Sequence, residues 1–270
     1  MLRIVSLDDG ITQRLTARRC FGRDLYPSAS YLVDGLLVDT GIAREEGMFL
    51  RSLDGIPVRM IVNTHSHEDH IGCNGLLQSV RRLPVLAHPL ALPVLMNPRL
   101  LALLPYQRFL FGPPRPSKGD PVGGSVTTGR CAFRVLALPG HSRDHIGLFE
   151  ETRGWLFCGD AYIGGRDRVL RRDYDVWDMI RTFRSLAALP INVMYTGTGH
   201  VLRDPVRRIG RKLEYLLEME EKVRDLKNSG MEEREIARRL FPGDLFLRLA
   251  TSGHFAAAHL VRSFLARPPA

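Results

Sequence analysis

Seven consecutive residues, Thr64-His65-Ser66-His67-Glu68-Asp69-His70, bring together three imidazoles and two carboxylates. Imidazole nitrogen and carboxylate oxygen are the donors of zinc, iron and manganese sites. In an extended stretch, side chains two residues apart project to the same side, so His65 and His67 can converge on one ion. A turn after them would aim Asp69 and His70 at a second point nearby. The segment follows the apolar run Val58–Val62, suited to a buried strand, and enters a helix expected over Asn74–Arg82.

Three further ligand-type residues stand just past apolar runs. Pro139-Gly140-His141 follows Ala132–Leu138, Gly159-Asp160 follows Trp155–Cys158, and Gly199-His200 follows Ile191–Tyr195. In each a glycine precedes the ligand-type side chain and lets the backbone turn sharply into a cleft at the strand ends. His65, His67, Asp69, His70, His141, Asp160 and His200 make seven candidate ligands, enough for two divalent ions. Zinc leads, because the donors are nitrogen and oxygen only, with iron or manganese as alternatives. Water shared by two such ions loses a proton near neutral pH and becomes an aimed hydroxide. Asp69 is the candidate catalytic carboxylate, placed to orient that hydroxide and to take or relay a proton.

The elements needed to position these residues are legible as short apolar runs punctuated by glycine, aspartate and proline. Ala29–Val33 and Leu36–Val38, joined by Asp34-Gly35, predict a tight hairpin. Helices are expected at Ala43–Leu53, Asn74–Arg82 and Trp177–Ala188. Strands mixed with helices argue for an α/β class with layered sheets. The stretch Pro84–Pro121, rich in leucine and proline, reads either as short core-packed helices or as an apolar flap or dimer surface. From Asp204 the pattern turns helical: Val206, Ile209, Leu213, Leu216, Met219, Val223 and Leu226 form one stripe. Asp204 is the expected cap and Pro205 the first helical residue. A second helix is expected over Glu232–Leu240 and a third from Ser252 to about Leu265, carrying His254 and His259.

The chain resembles the metallo-β-lactamase superfamily, which includes glyoxalase II-type thioesterases and several nucleases. The likeness runs from Tyr31–Gly41, with Asp39-Thr40-Gly41, through the histidine motif to His200. It implies an α/β fold, an αββα sandwich over residues 1–202, with a small helical appendage over 203–270. It implies that His65, His67 and His141 hold one metal, that Asp69, His70 and His200 hold the other, and that Asp160 bridges them. His145 matches a histidine often found behind the ligands, in a positioning role. Departures stand at Cys73 and Asp144, where glycine is common, and Asp144 is expected to add charge beside the cleft. The tail is similar to that of a branch of lactamase-like hydrolases, some of them endoribonucleases, chiefly at Ala256–Val261.

The favoured function is hydrolysis of an ester, thioester or lactone. Rivals are a ribonuclease of the same fold, an iron-dependent persulfide dioxygenase, and a DNA-binding protein whose metal site is a relic. Diiron oxygen reductases of this fold place a glutamate where His67 stands, which disfavours them. The net charge of +9 invites nucleic acid, yet the basic residues are spread rather than gathered. The expected partner is therefore a small molecule, with RNA the alternative and a homodimer open. Four cysteines without Cys-x-x-Cys spacing read as reduced thiols, and Cys73 as a buried small residue. No apolar run is long enough for membrane insertion, and Asp8-Asp9 interrupts the apolar start, so the cytoplasm is the expected compartment.

Overall fold

The computed structural model describes residues 1–7 and 10–266. Asp8 and Asp9, which bear on the expectation of no leader, lie outside the described residues. The chain forms two compact units. The first comprises Met1–Ala137, Arg143–Ile163 and Pro190–Arg203, and the second Leu138–Ser142, Gly164–Leu189 and Asp204–Ala270. A boundary at residue 203 was expected, but the second unit also draws in two earlier stretches.

In the first unit, β1 (Leu2–Ser6), β2 (Thr12–Cys20), β3 (Arg23–Val33), β4 (Leu36–Val38), β5 (Met60–Val62), β6 (Val85–Ala87) and β7 (Asp120–Pro121) form one sheet in that order. The early strands are antiparallel, whereas β4, β5, β6 and β7 run parallel. The predicted hairpin is present, with Val33 opposite Leu36 and the turn at Asp34 (φ +46°) and Gly35 (φ +82°). Those left-handed angles are what a two-residue turn between twisted strands requires.

The second sheet contains β8 (Ser125–Thr127), β9 (Ala132–Ala137), β10 (Ile146–Glu150) and β11 (Trp155–Gly159). After β12 (Leu170–Arg171), which belongs to the second unit, β13 (Val193–Thr196) and β14 (Val201–Leu202) complete it. Side-chain alternation explains the layering. Tyr31, Val33, Leu36, Val38 and Val62 point into a core shared with Phe133, Ile146, Leu148, Trp155, Phe157 and Tyr195 of the second sheet. The intervening Leu32, Leu37 and Ile61 point to the opposite face. There they meet Phe49 of α1 (Glu46–Arg51) and Leu77 of α2 (Asn74–Arg81). The fold class is the expected α/β sandwich.

Within 84–121, α3 (Leu92–Met96) and α4 (Pro105–Leu110) form, joined by irregular links. Leu95, Leu103 and Phe111 are buried, while Leu90, Met96, Leu100 and Phe109 are exposed. A cavity of about 510 Å³ here is lined by Asn97, Arg99, Leu103, Arg108 and prolines, so the segment is no uniform apolar wall.

The second unit contains α5 (Val176–Ala187), α6 (Pro205–Asn228), α7 (Glu233–Leu240), α8 (Leu245–Ala250), β15 (Phe255–Ala256) and α9 (Ala257–Leu265). Helix α5 is capped by the Asp175 carboxylate, which accepts from the backbone of Trp177 and Asp178, and packs against α6 and α9. Pro205 opens α6 as expected, but Asp204 makes no side-chain cap. The last helix begins at Ala257 rather than Ser252. Ser252 has φ +53°, a turn conformation, and the short helix α8 precedes it. His254 consequently lies before α9, while His259 lies on it and meets the Gly253 carbonyl oxygen at 2.9 Å.

Lys212 on α6 is buried and ion-paired with Asp167 at 3.0 Å. Removing one partner of such a pair strands a buried charge. Asp167→Ala should therefore cost about 3 kcal/mol in urea denaturation, and adding Lys212→Met should recover most of that loss.

Candidate metal centre

The motif leaves β5 at the point where three parallel strands end. Asn63 donates from its backbone N–H to the Leu86 carbonyl of β6, and Asp39, just past β4, donates to the Val62 carbonyl. The chain then bends so that the N–H of His70 bonds the carbonyl of His67 at 3.0 Å. Thr40 N–H and Thr40 Oγ1 both reach the His70 carbonyl. Gly72 N–H bonds the Gly41 carbonyl, and a Cβ at Gly72 would stand 2.3 Å from that oxygen, which explains the glycine.

All four motif ligands are buried. The rings of His65 and His67 lie 4.5 Å apart, with Nε2 of one 2.9 Å from Nδ1 of the other. The convergence expected from two-residue spacing is thus present. His65, His70 and Asp160 each offer an atom within 4.8 Å of the others. Asp69 joins them through Oδ2, 3.7 Å from Nε2 of His70, and Oδ1 of Asp160 lies 3.5 Å from the same nitrogen.

The tautomers follow from the groups behind the ligands. Asp39 takes the N–H of Thr64 on Oδ1, and on Oδ2 both the Thr64 hydroxyl and Nδ1 of His70, at 2.7 and 2.8 Å. With His70 donating from Nδ1, Nε2 is the ring nitrogen that faces two carboxylates. That nitrogen is buried and has no hydrogen-bond partner among the described residues. Burial works against protonation of His70, but the fields of Asp69, Asp39 and Asp160 outweigh it and raise the imidazole well above its ordinary value. Burial likewise lifts Asp69 to about 7, with Glu68 and Asp160 adding to the rise against His70. Such a pocket demands a positive charge between its ligand atoms. A divalent cation on these donors supplies it, so the residues fit a metal.

His145 sits behind the ligands. It is buried, stacked on His65 at 4.6 Å, and its Nε2 accepts the backbone N–H of Asp160. Burial lowers its pKa to about 4, so it is a neutral positioning group. The Asp144 carboxylate is not cleft charge, as the sequence suggested, but is buried and accepts the N–H of Ser66 at 2.9 Å. Cys73 is fully buried, its thiol raised well above its usual value by burial, and so is inert. His88 caps the turn after β6 by accepting from Leu90 N–H.

His141 is buried in the second unit, its Nε2 3.1 Å from the Tyr174 hydroxyl. His200 is exposed, its Nδ1 lies 3.1 Å from Thr198 Oγ1, and it is in neither ligand cluster among the described residues. The hairpin's close approach to the site is instead at Gly197, where a Cβ would stand 2.2 Å from Asp160 Oδ1 and 2.7 Å from His70 Cε1.

Two contributors were not legible as site residues. Asp39 was quoted only for its resemblance, and its role depends on the parallel pairing of β4 with β5. Tyr26 falls where the β2–β3 register shifts, with φ +46°, the kind of bulge that re-aims a side chain. Tyr26 keeps an exposed surface, while desolvation, then the fields of Asp160 and Asp69, raise its phenol well above its ordinary value. Its ring edge packs on Phe111 at 5.7 Å. The available signal was an aromatic followed by proline just before the apolar run Ala29–Val33.

Residues 23–198 match the family described as the metallo-beta-lactamase superfamily. The chain belongs to that superfamily. A hydroxyacylglutathione hydrolase from Thermosynechococcus vestitus is 36% identical over 111 residues, 41% of this chain and 37% of that protein. One from Bdellovibrio bacteriovorus is 32% identical over 134 residues, 47% of this chain and 43% of that protein. The match thus spans about two-fifths of these relatives' length. Among solved structures, a metallo-beta-lactamase family protein from Thermus thermophilus superposes with TM-score 0.67 at 21% identity, covering 94% of this superfamily member and 93% of that chain. TTHA1623, solved in a di-iron-bound form, is 26% identical with TM-score 0.55, covering 69% of this chain and 94% of that one.

Gly197→Ala should push Asp160 and His70 apart and weaken metal binding by about 10–100-fold, with the far-ultraviolet circular dichroism unchanged. The metal-free protein offers a second check through His145. Its folded pKa lies below the ordinary 6.5, so the unfolded chain binds the extra proton between about pH 6.5 and 4. The contribution of His145 to stability is complete above that window and is lost as pH falls through it. Denaturation midpoints across the window should therefore fall more steeply in the parent than in His145→Gln.

Proposed function

We propose that this chain is a metal-dependent hydrolase of acyl compounds, with a thioester the first substrate class, working with two divalent ions. The observation that carries this is the buried Asp69–His70–Asp160 cluster, which needs a cation, in a chain related to hydroxyacylglutathione hydrolases. That name denotes removal of an acyl group carried on glutathione, a thioester. Zinc is the first metal to test, because the donors are nitrogen and oxygen only. Iron is the second, on the likeness to the di-iron-bound protein.

His65 and His67 would hold one ion, together with His141, which follows the end of β9 in the glycine-histidine pattern. Asp69, His70, His200 and Asp160 would hold the other. When bound, the ions acidify water and polarise the substrate carbonyl. The chain supplies the rest. Asp39 and Thr64 hold Nδ1 of His70 and of His65, so Nε2 of each ring is the nitrogen left to an ion, which would displace the proton held at His70. His145 holds the Asp160 backbone. Asp69, beside the ion it would help to hold, is the carboxylate placed to orient the attacking water and to relay its proton. Tyr26, kept neutral, is a hydroxyl donor for orienting the substrate.

The test is metal analysis coupled to a panel of thioester, lactone, phosphodiester and RNA oligomer, with oxygen uptake on a persulfide for the iron-loaded protein. Chelation should abolish thioester hydrolysis and zinc should restore it. His67→Ala should lose metal together with activity. Tyr26→Phe should raise KM more than it lowers kcat. Efficient RNA cleavage that weakens steeply with salt, with thioesters untouched, would replace this function with a nuclease.

A further inference from the structure

Over the whole chain the cations are spread, but the acids are not. From Ile71 to Gly119 no aspartate or glutamate occurs, whereas Arg81, Arg82, Arg99, Arg108, Arg115 and Lys118 do. Two of these charges are met from outside the stretch: Arg81 pairs with Asp54 at 2.9 Å, and Arg115 pairs with Glu46. Among the described residues no carboxylate pairs with Arg99 or Arg108. Both of these guanidiniums border the cavity of about 510 Å³ within residues 97–116.

The cavity's walls are stiff. Pro98, Pro113, Pro114 and Pro116 line it, each with its φ fixed by the ring and none with an N–H to offer. A polar occupant must therefore be held by side chains, and those that border the cavity are Asn97, Arg99 and Arg108. Arg108 is held in place: its Nε donates to the Leu103 carbonyl at 3.0 Å, which leaves the two terminal nitrogens of the guanidinium to an occupant. Its own carbonyl accepts from the Arg44 guanidinium at 2.6 Å. One residue earlier, the buried Gln107 donates from Nε2 to Glu68 Oε1 at 2.7 Å and accepts the Leu104 N–H on Oε1 at 2.9 Å. Helix α4 is thus fixed on both sides of Arg108, and the cavity is formed in advance of any occupant.

We propose that this cavity is a binding site for a phosphate monoester with an apolar body, separate from the metal centre. Two guanidiniums without an acid partner match a head group whose charge is about −1.5 to −2 at neutral pH, which a phosphate monoester has and a single carboxylate lacks. The volume lies in the range of small-molecule sites, about 300–1,000 Å³, and is far more than a bare phosphate fills. Arg99 and Arg108 take the phosphate oxygens, and Asn97 adds an amide donor. Leu103 and the proline rings meet the rest of the molecule with apolar surface. No candidate metal ligand lies within 97–116, so binding here needs no ion.

Calorimetry on the full chain as purified, with phenyl phosphate, benzoate and inorganic phosphate as probes, tests the site without reference to turnover. Phenyl phosphate should bind saturably and more tightly than either of the others. Arg99→Gln and Arg108→Gln should each weaken it by about tenfold or more, the worth of a hydrogen bond to a charged group. Lys118→Gln removes a cation of the same stretch that does not line the cavity, and should leave the affinity within about threefold. Added chelator should change none of these values. Loss of phenyl phosphate binding on chelation would put the anion on the metal centre and overturn the proposal. It would equally be overturned by no saturable binding, by benzoate or inorganic phosphate binding as tightly, by an equal loss in Lys118→Gln, or by parental affinity in Arg99→Gln and Arg108→Gln.

Discussion

Negative charge held out of water is the constraint on which the site depends. Asp39, Asp69 and Asp160 are all buried around the single imidazole of His70. The desolvation cost of each ionised carboxylate is several kcal/mol, and one imidazolium cannot match three such charges. The protein divides the load. Asp39 is satisfied by three donors, the Thr64 backbone, the Thr64 hydroxyl and His70 Nδ1. Asp69 and Asp160 face the other nitrogen of the same ring. One histidine thus separates a compensated carboxylate from two that call for a cation, and its orientation is set from the compensated side.

That division requires the strand ends to be in register. Asp39 can reach both Thr64 and His70 because β4 and β5 are parallel, with Val38 beside Val62. A slip of one residue would turn Leu37 and Ile61 into the inter-sheet core and carry Asp39 away from the motif. The alternating split of Leu36, Leu37 and Val38 between the two apolar clusters is consequently part of the metal site's construction. Packing energy sets the register, and the register sets the imidazole. The exchange between Asn63 and Asn74, with Thr40 donating to Asn74, extends the same control to the start of α2.

This hierarchy explains what could be read from the sequence. The motif was legible because its ligands are neighbours in the chain and local backbone geometry suffices to bring His65 and His67 together. The Asp34-Gly35 hairpin and the core strands were legible for the same reason, through turn chemistry and short-range periodicity. His145 could be placed behind the ligands by its spacing from His141. The partnerships of Asp39, Tyr26 and Asp144 were not legible, because each depends on where a distant segment ends. Glycine followed by histidine after a strand is a local signal, whereas the close approach of Gly197 to Asp160 and His70 depends on the register of Tyr195 with Val201. The second unit was readable as helices from its apolar stripe, while its recruitment of 138–142 and 164–189 was not.

Glycine has opposite uses at the two ends of the site. At Gly72 its absence of Cβ lets the chain after His70 lie against the Gly41 carbonyl, which draws the motif inward. At Gly197 the same absence lets the hairpin lie against Asp160 and His70 without contributing any donor. The first glycine brings ligands to the centre, and the second closes a wall of the centre while leaving coordination to others. The two uses are complementary, since donors on every side of a cation would leave no open position beside it. In this chain the hairpin is held by backbone hydrogen bonds to Ala29 and Gly159 and by the Gln13 side chain, so that Gly197 is fixed against Asp160 and His70 from both sheets.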